Sequence, residues 1–311
     1  MAKQQPSDTL DLPLKSGVSS GILSLGAASR LDVPTVVMII VSIITAYLVL
    51  PPLYSVIQTS LFTTKLTGEI DEFTLRYYQD LVRELQVIGP FLNTFYFSVG
   101  SALFATMLGG SIAWVVVRTD SPLRSLGYFT AFASFGTPFI LYTIGWLLLL
   151  GKAGPVNYWL KTLLNQTGPV VNIYSLFGMI FIESLLWSPF VFLMLAAAFR
   201  SMDPSLEEAS AACGARVWQT MRRISLRLML PAFFSVMLLI FIRTFESFEI
   251  PALVGLPGDI RVLTTSIYLD AQKLPPRYGS AGAFSVLLMV VVAEIVVVPL
   301  TWKVSSTMIE P

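Results

Sequence analysis

The sequence predicts an all-α membrane protein with six transmembrane helices. Of its 311 residues, 55% are hydrophobic and only 13% are charged, and the mean hydropathy is +0.73. Soluble domains carry about 25% charged residues to cover their surface. The apolar residues also gather into six runs, and each run is close to the 20 or so residues that cross a bilayer as a helix. Most of the chain is therefore expected to lie in lipid.

The six predicted spans follow one another with short polar connections. The polar residues 1–33 are expected to form a cytoplasmic tail, and residues 303–311 a cytoplasmic C-terminal tail or the start of a linker. The first apolar run is too long for a signal-peptide core and lacks a small-residue cleavage site, so we interpret it as a retained span. The spans are residues 34–58, 91–117, 126–150, 173–199, 228–249 and 282–302.

Small residues and positive charges add detail to this six-span domain, residues 34–302. The second span carries Gly100, Gly109 and Gly110, which let helices approach closely in lipid. Six spans place both termini on one side. If that side is cytoplasmic, eleven of the 20 Lys and Arg residues fall in cytoplasmic segments and eight in external ones. The positive-inside rule thus favours cytoplasmic termini.

An external segment after the first span has a helical apolar pattern. Its apolar residues recur with the spacing of an amphipathic helix. Such a helix either packs on the bundle or lies on the membrane surface. The apolar residues are Tyr78, Leu81, Val82, Leu85 and Ile88.

Composition argues against several function classes. There is one cysteine, Cys213, and no histidine, which argues against an internal disulfide or a zinc site. The net charge of +1 gives no sign of nucleic-acid binding. The chain has no Walker A loop, so we expect no bound ATP and no cofactor or metal in the chain itself. Catalysis by Ser, Lys or carboxylates stays open.

The loop between the fourth and fifth spans, residues 200–227, is the most informative segment. It continues into the fifth span as EEASAACGARVWQTMRRISLRLMLP, from Glu207 to Pro231. Asp203 or Ser205 can cap a first helix, and Ser205 with Glu208 predicts a capping box. Gly214 can adopt the left-handed conformation that ends this helix. A second helix with four arginines follows, and a simple amphipathic connector remains an alternative.

This loop resembles the cytoplasmic loop of inner-membrane permeases of binding-protein-dependent ABC importers. Their pattern is Glu-Ala-Ala, three residues, Gly, nine residues, then Ile-x-Leu-Pro. Glu208 and Ala209 match, Ser210 replaces the second Ala, and Gly214 follows at the family spacing. Residues 228–231, Leu-Met-Leu-Pro, are taken as the closing motif.

The resemblance implies a type I ABC importer permease-like bundle in the bacterial inner membrane, surrounded by lipid. It implies that the loop is a coupling helix that docks on a cytosolic ABC ATPase dimer, which binds the ATP. It also implies a second permease half, identical, homologous or fused, and a periplasmic or extracellular solute-binding protein. The residues expected to carry the coupling are Glu207, Glu208, Ala209, Ala212, Gly214 and Arg216.

Two later stretches resemble a narrower group of these permeases. FESFEIPALVGLPGDIRVLTTSIY, from Phe245, and PPRYGSAGAFS, from Pro275, are similar to the iron(III) subgroup. Its relatives handle thiamine, aminoethylphosphonate and polyamines, and iron(III) is the favoured substrate. Many iron(III) permeases are fused chains with two six-span halves, so this chain is either a half-size subunit or the first half of a longer one.

Charged residues inside the spans mark a candidate translocation path. Intramembrane charges usually pair or face a cavity, and the three-residue spacing of Arg243 and Glu246 allows them to pair on one helix face. Carboxylates suit iron(III), a hard cation. The alternatives are a channel or ion-gradient secondary transporter, or a membrane-embedded enzyme, each using carboxylates of this set. The candidate path residues are Glu183, Arg243, Glu246, Glu249 and Glu294.

Overall fold

The computed structural model of the chain describes residues 33–64, 70–83, 87–122 and 124–307. Within them, six helical segments are long and apolar enough to cross a membrane, as the sequence predicts. Nearly all of the predicted N-terminal tail lies outside the described residues. The last helix continues to Thr307, into the residues predicted as the C-terminal tail. The six segments are Val33–Leu61, Ile88–Arg118, Phe139–Leu164, Leu176–Ser201, Val217–Phe245 and Tyr278–Val297.

The described chain is almost entirely helical. It divides into two compact units: residues 1–51, which include the first part of α1, and residues 52–311. Its elements in order are α1 (Val33–Leu61), β1 (Phe62–Thr64), β2 (Ile70–Phe73), α2 (Arg76–Arg83), α3 (Ile88–Arg118), α4 (Arg124–Phe135), α5 (Phe139–Leu150), α6 (Pro155–Leu164), α7 (Leu176–Ser201), α8 (Ser205–Ala212), α9 (Val217–Thr220), a π turn (Met221–Ser225), α10 (Leu226–Phe245), a second π turn (Pro251–Gly255), a 3-10 turn (Leu256–Gly258), α11 (Leu263–Gln272) and α12 (Tyr278–Thr307).

The centre of the larger unit is the packing of α3 against α7. The small residues predicted to allow close approach lie at this contact. A Cβ atom built on Gly109 would come within 2.6 Å of the Ser188 carbonyl oxygen and 2.8 Å of the Val191 side chain. Gly100 faces Ile180 in the same way, at 2.7 Å. The absence of a side chain at these positions is what lets the two helices touch.

The third predicted span, residues 126–150, is not one helix. It breaks at residues 136–138, Gly-Thr-Pro, into α4 and α5, and α5 alone is only about 18 Å long. Hydropathy by itself selects residues 139–164, which join α5 to α6. Aromatic ring contacts instead show that α4 and α5 together pack antiparallel to α7 along its length. We therefore place the third crossing at residues 124–150. The contacting pairs are Tyr128–Phe192, Phe135–Phe190, Phe139–Trp187 and Trp146–Phe181.

The predicted amphipathic helix is α2, and it packs on the bundle. Tyr78 donates a hydrogen bond of 2.8 Å from its hydroxyl to Ser60 Oγ, and Leu81 is buried. Val82 is exposed, whereas the pattern predicts it on the buried face, and Leu85 lies outside the described residues. The sequence did not predict the hairpin before α2, in which β1 pairs antiparallel with β2.

Candidate functional site

The loop after α7 folds as a short helix, a turn and a second helix. Asp203 lies just before α8 and accepts a hydrogen bond of 2.9 Å from the amide of Ser205, the first residue of the helix, while Pro204 is the N-cap residue. Hydrogen bonds from the Ser205 backbone and side chain lower the pKa of the Asp203 carboxyl. The predicted capping box of Ser205 and Glu208 is wrong, because Ser205 already lies inside the helix and makes no side-chain cap.

Gly214 ends α8 in the left-handed conformation, with φ +78°. Its amide donates to the Ala211 carbonyl at 2.9 Å, and the Ala215 amide donates to the Ser210 carbonyl at 3.1 Å. These two bonds form the Schellman motif that satisfies the last carbonyls of a helix. A Cβ atom on Gly214 would meet nothing within 4 Å, so the backbone angle, not space, requires glycine.

The departure from the family pattern at Ser210 makes a contact of its own. The Ser210 and Thr220 hydroxyl oxygens lie 2.9 Å apart and form a hydrogen bond between α8 and the end of α9. Arg216 is exposed and begins α9, where its amide donates to Gln219 Oε1 at 3.0 Å. The Ser210–Thr220 contact joins α8 to α9 and the Arg216–Gln219 bond caps α9, so the loop is a built structure rather than a loose connector.

The two adjacent acids of α8 have different surroundings. Glu207 is mostly buried; Ser225 Oγ donates to its Oε1 at 2.5 Å, and Arg118 Nε lies 3.5 Å from its Oε2. Glu208 is exposed and makes no side-chain hydrogen bond or ion pair with any residue that the structure describes. Ala209 and Ala212 are exposed as well. The predicted coupling residues therefore divide into an inner anchor, Glu207, and an outer surface.

The closing motif of the family lies one helical turn earlier than the sequence match placed it. Nine residues after Gly214 lead to residues 224–227, Ile-Ser-Leu-Arg, so Arg227 stands where the pattern has Pro. Ser225 therefore belongs to the motif. Ser225 is the last residue of the π turn, in which the Leu226 amide donates a hydrogen bond to the Met221 carbonyl.

A second site is a cavity of about 180 Å³ between α5, α7 and the end of α10. It brings together four of the five predicted path residues, although they come from different parts of the chain. Glu294 is exposed on α12 and does not line it. The four residues are Glu183, Arg243, Glu246 and Glu249.

Glu183 is the buried member of this group. Its Oε1 accepts a hydrogen bond of 3.0 Å from Trp187 Nε1, and its Oε2 accepts one of 3.2 Å from Ser247 Oγ. The Ser247 carbonyl in turn accepts a bond of 2.8 Å from Thr264 Oγ1. A buried acidic side chain needs such donors. These three bonds connect α7 to the segment after α10 and to α11.

The predicted pair of Arg243 and Glu246 is not formed. In the part of the chain that the structure describes, no ion pair joins them, and the Arg243 guanidinium lies 5.7 Å from the centre of the Trp187 ring. The fifth span ends at Phe245 instead of residue 249, because the chain turns at Glu246 and Ser247 donates to the Thr244 carbonyl. Helical spacing therefore does not hold beyond Phe245.

The acidic cavity and the helical loop lie within one region of family similarity. Residues 105–301, well over half of the chain, match the family described as the inner membrane component of binding-protein-dependent transport systems. The chain belongs to this family. It is a multi-pass inner membrane permease of this family.

Individual relatives agree with this membership. The permease is 25% identical over 233 residues to a putative ferric transport system permease protein of Haemophilus influenzae. The aligned residues make up 75% of this chain but only 36% of that protein. It is 30% identical over 214 residues to an inner membrane ABC transporter permease protein of Escherichia coli, covering 65% and 67% of the two chains. The chain thus spans about a third of the length of the ferric relative.

A solved structure shows the same fold. The crystal structure of a bacterial ABC transporter involved in the import of alginate, an acidic polysaccharide, contains a chain with a TM-score of 0.71 to this permease. The alignment covers 89% of this chain and 96% of that one, at 22% identity.

Several residues of the two sites were not predicted from the sequence. At the loop these are Arg118 and Ser225, and at the cavity Trp187 and Ser247. Arg118 had a local signal, a lone cation at the end of a long apolar run. Ser225 and Ser247 have none, since a serine beside a span is ordinary in sequence.

Proposed function

We propose that this permease forms half of the translocation path of an ATP-driven importer, and that α8 and α9 dock on a cytosolic ATPase subunit. The observation that carries the proposal is the outer surface of the loop. Val217 and Trp218 of α9 are 68% and 65% exposed, and Glu208 of α8 is exposed as well. Exposed aromatic side chains are enriched at protein interfaces, whose rim is polar.

The remaining partners follow from this assignment. The loop and both termini are cytoplasmic, and an external binding protein delivers the solute to the opposite side. A second permease half, identical, homologous or fused, completes the path, and each half contacts one subunit of an ATPase dimer. Alternating access then arises from movement of the permease helices as the ATPase subunits close and open.

Iron(III) is the proposed substrate. The cavity presents three acidic side chains, Glu183, Glu246 and Glu249, and one guanidinium, so its lining has an excess of negative charge. Oxygen ligands suit a hard cation, and the ferric relative supports this choice. A polyamine is also a cation, so the negative lining of the cavity suits it as well, and it is the second candidate. A phosphonate is an anion and would be repelled by the same lining.

Among the residues that the structure describes, no three His, Cys, Asp or Glu side chains are grouped to hold a metal ion. In the proposal, the acidic side chains of the cavity attract the cation by their charge and do not form a fixed metal site. Binding along a path must be weak enough for the ion to leave.

Co-purification and uptake test the proposal. The chain is isolated from native membranes with its partners, and ATP-dependent uptake of radiolabelled iron(III) is measured in vesicles, with a labelled polyamine in parallel. We expect an ATPase to co-purify and iron uptake to require ATP. Uptake driven by an ion gradient without ATP would instead identify a secondary transporter, and solute conversion by the isolated chain an enzyme. Uptake of the polyamine alone would overturn the choice of iron.

A further inference from the structure

Arg118, the last residue of α3, lies where three elements of the permease meet. Its Nη2 donates to the Phe199 carbonyl at 2.9 Å and to the Met202 carbonyl at 3.3 Å, at the end of α7. Its Nε faces the Glu207 carboxylate of α8 at 3.5 Å. The Arg118 and Glu207 side chains are only 12% and 20% exposed. One guanidinium thus holds the ends of α3 and α7 and the side chain of α8.

The same carboxylate reaches the fifth span. Ser225 donates to the other oxygen of Glu207 from the π turn that precedes α10. Because the helical segment continues from Val217 to Phe245, Ser225 belongs to the spanning helix itself. The two oxygens of Glu207 therefore contact two spanning helices directly, and Arg118 extends this connection to α7.

Apolar packing does not provide this connection. None of the residues of α8, Ser205–Ala212, is buried. The hydrogen bond of Ser210 reaches only Thr220, at the end of α9. Of the α8 side chains, Glu207 is the one whose described contacts lead to α3.

The contact between Arg118 and Glu207 is not fully closed. The distance of 3.5 Å is an ion pair but is too long for a good hydrogen bond, and Arg118 Nε is buried without a hydrogen-bond partner among the described residues. A cavity of about 160 Å³, lined in part by Trp114, Ala211 and Val217, adjoins the pair. This space allows α8 to shift against the bundle while the pair shortens or lengthens.

We infer that Arg118 and Glu207 form a positioning pair that transmits displacement of α8 to the ends of α3, α7 and α10. The inference rests on the proposed docking of α8 on an ATPase. It assigns Glu207 to transmission inside the permease and leaves docking to the exposed neighbours.

The test uses the complete transporter in membranes and two readouts. Co-purifying ATPase reports docking, and solute imported per ATP hydrolysed reports transmission. The variants are Glu207→Gln, which keeps an acceptor for Ser225 but loses the charge, Arg118→Gln, and both together. Arg124→Gln is the control, because Arg124 is exposed and has no ion pair within the described residues.

We expect Glu207→Gln to keep co-purifying ATPase within about twofold and to lower the import per ATP about tenfold or more. The double variant should lose no more than the worse single variant, since both changes break one interaction. Arg124→Gln should leave both readouts unchanged.

Three results would overturn the inference. Import per ATP equal to that of the unaltered permease in Glu207→Gln would show that the pair transmits nothing, and losses that add in the double variant would show that the residues act separately. Loss of the ATPase from Glu207→Gln would make Glu207 a docking residue. If no ATPase co-purifies with the unaltered permease, the proposed function is wrong. The inference is then wrong as well, because it rests on that function.

Discussion

The Ser247 hydroxyl donates a hydrogen bond of 3.2 Å to the Glu183 carboxyl, although the two residues lie 64 positions apart. Glu183 is inside α7 and Ser247 follows the end of α10, so this bond crosses between two spanning segments beside the acidic cavity. The bond therefore stabilises the packing of these two segments beside the cavity.

Replacing Ser247 by Ala should destabilise the permease. One oxygen of the buried Glu183 side chain would lose its donor, which costs about 1–3 kcal/mol of unfolding free energy. Thermal unfolding in detergent measures the loss. Ser235→Ala is the control, since Ser235 is exposed on α10 and bonds only to the Pro231 carbonyl. Equal unfolding of the two variants would contradict the importance of the Ser247 bond.

Gly214→Val should insert into the membrane and lose ATP-dependent uptake. The left-handed backbone at φ +78° costs a β-branched residue about 1–2 kcal/mol, so the end of α8 would rearrange. Gly214→Asn should be much milder, because Asn tolerates this conformation. Gly168→Val is a control in an exposed loop without a positive φ. Normal uptake by Gly214→Val would remove the requirement for the turn.

Glu208→Ala should leave the stability of the permease unchanged and reduce the amount of ATPase that co-purifies. Glu208 forms no capping box and no described contact, so the stability cost of about 1 kcal/mol expected for a lost cap is absent. Glu208→Gln separates charge from size. Asp203→Ala is the contrasting variant, since it removes the acceptor for the Ser205 amide at the start of α8 and should lower helix stability. The docking role is wrong if neither Glu208 variant alters assembly.

Exchanging the charges, Arg243→Glu with Glu246→Arg, should impair uptake while the protein still accumulates. The Arg243 guanidinium lies near the Trp187 ring, a contact worth about 0.5–1 kcal/mol at an exposed site. The exchange would place an acid against the negative ring face. Arg243→Lys keeps the positive charge and should transport better than the exchange. Full uptake by the exchanged variant and by Glu249→Gln would exclude these residues from the path.

Local sequence predicted that a short helix ends at Gly214, because the determinants of these helix ends lie within a few residues. Asp203 and Gly214 delimit α8 through contacts to Ser205, Ala211 and Ala215, all nearby in the chain. The break in the third span also had local signals, Gly136 and Pro138. They were outweighed by the continuous apolar character of residues 126–150.

The contacts that organise both sites could not be predicted in this way. Periodicity shows which face of a helix is apolar, but it does not show which distant residue faces a given side chain. The partnership of Glu207 with Arg118, and of Glu183 with Ser247, arises only when α3, α7 and α10 pack. Helical spacing also wrongly paired Arg243 with Glu246, because it assumed that the helix continues beyond Phe245.

The π turn at Met221–Ser225 sets the rotational phase of the fifth helix. One residue advances an α-helix by about 100°, and a π turn accommodates one residue more than an α-turn. Because the π turn absorbs one extra residue, deleting a single residue here would restore regular winding and keep Val217 and Trp218 at about the same angle around the axis relative to α10. Rewinding the same residues as a regular α-helix, without a deletion, would instead turn Val217 and Trp218 by about 100° relative to α10. An alignment of relatives through residues 221–225 should therefore allow a one-residue gap.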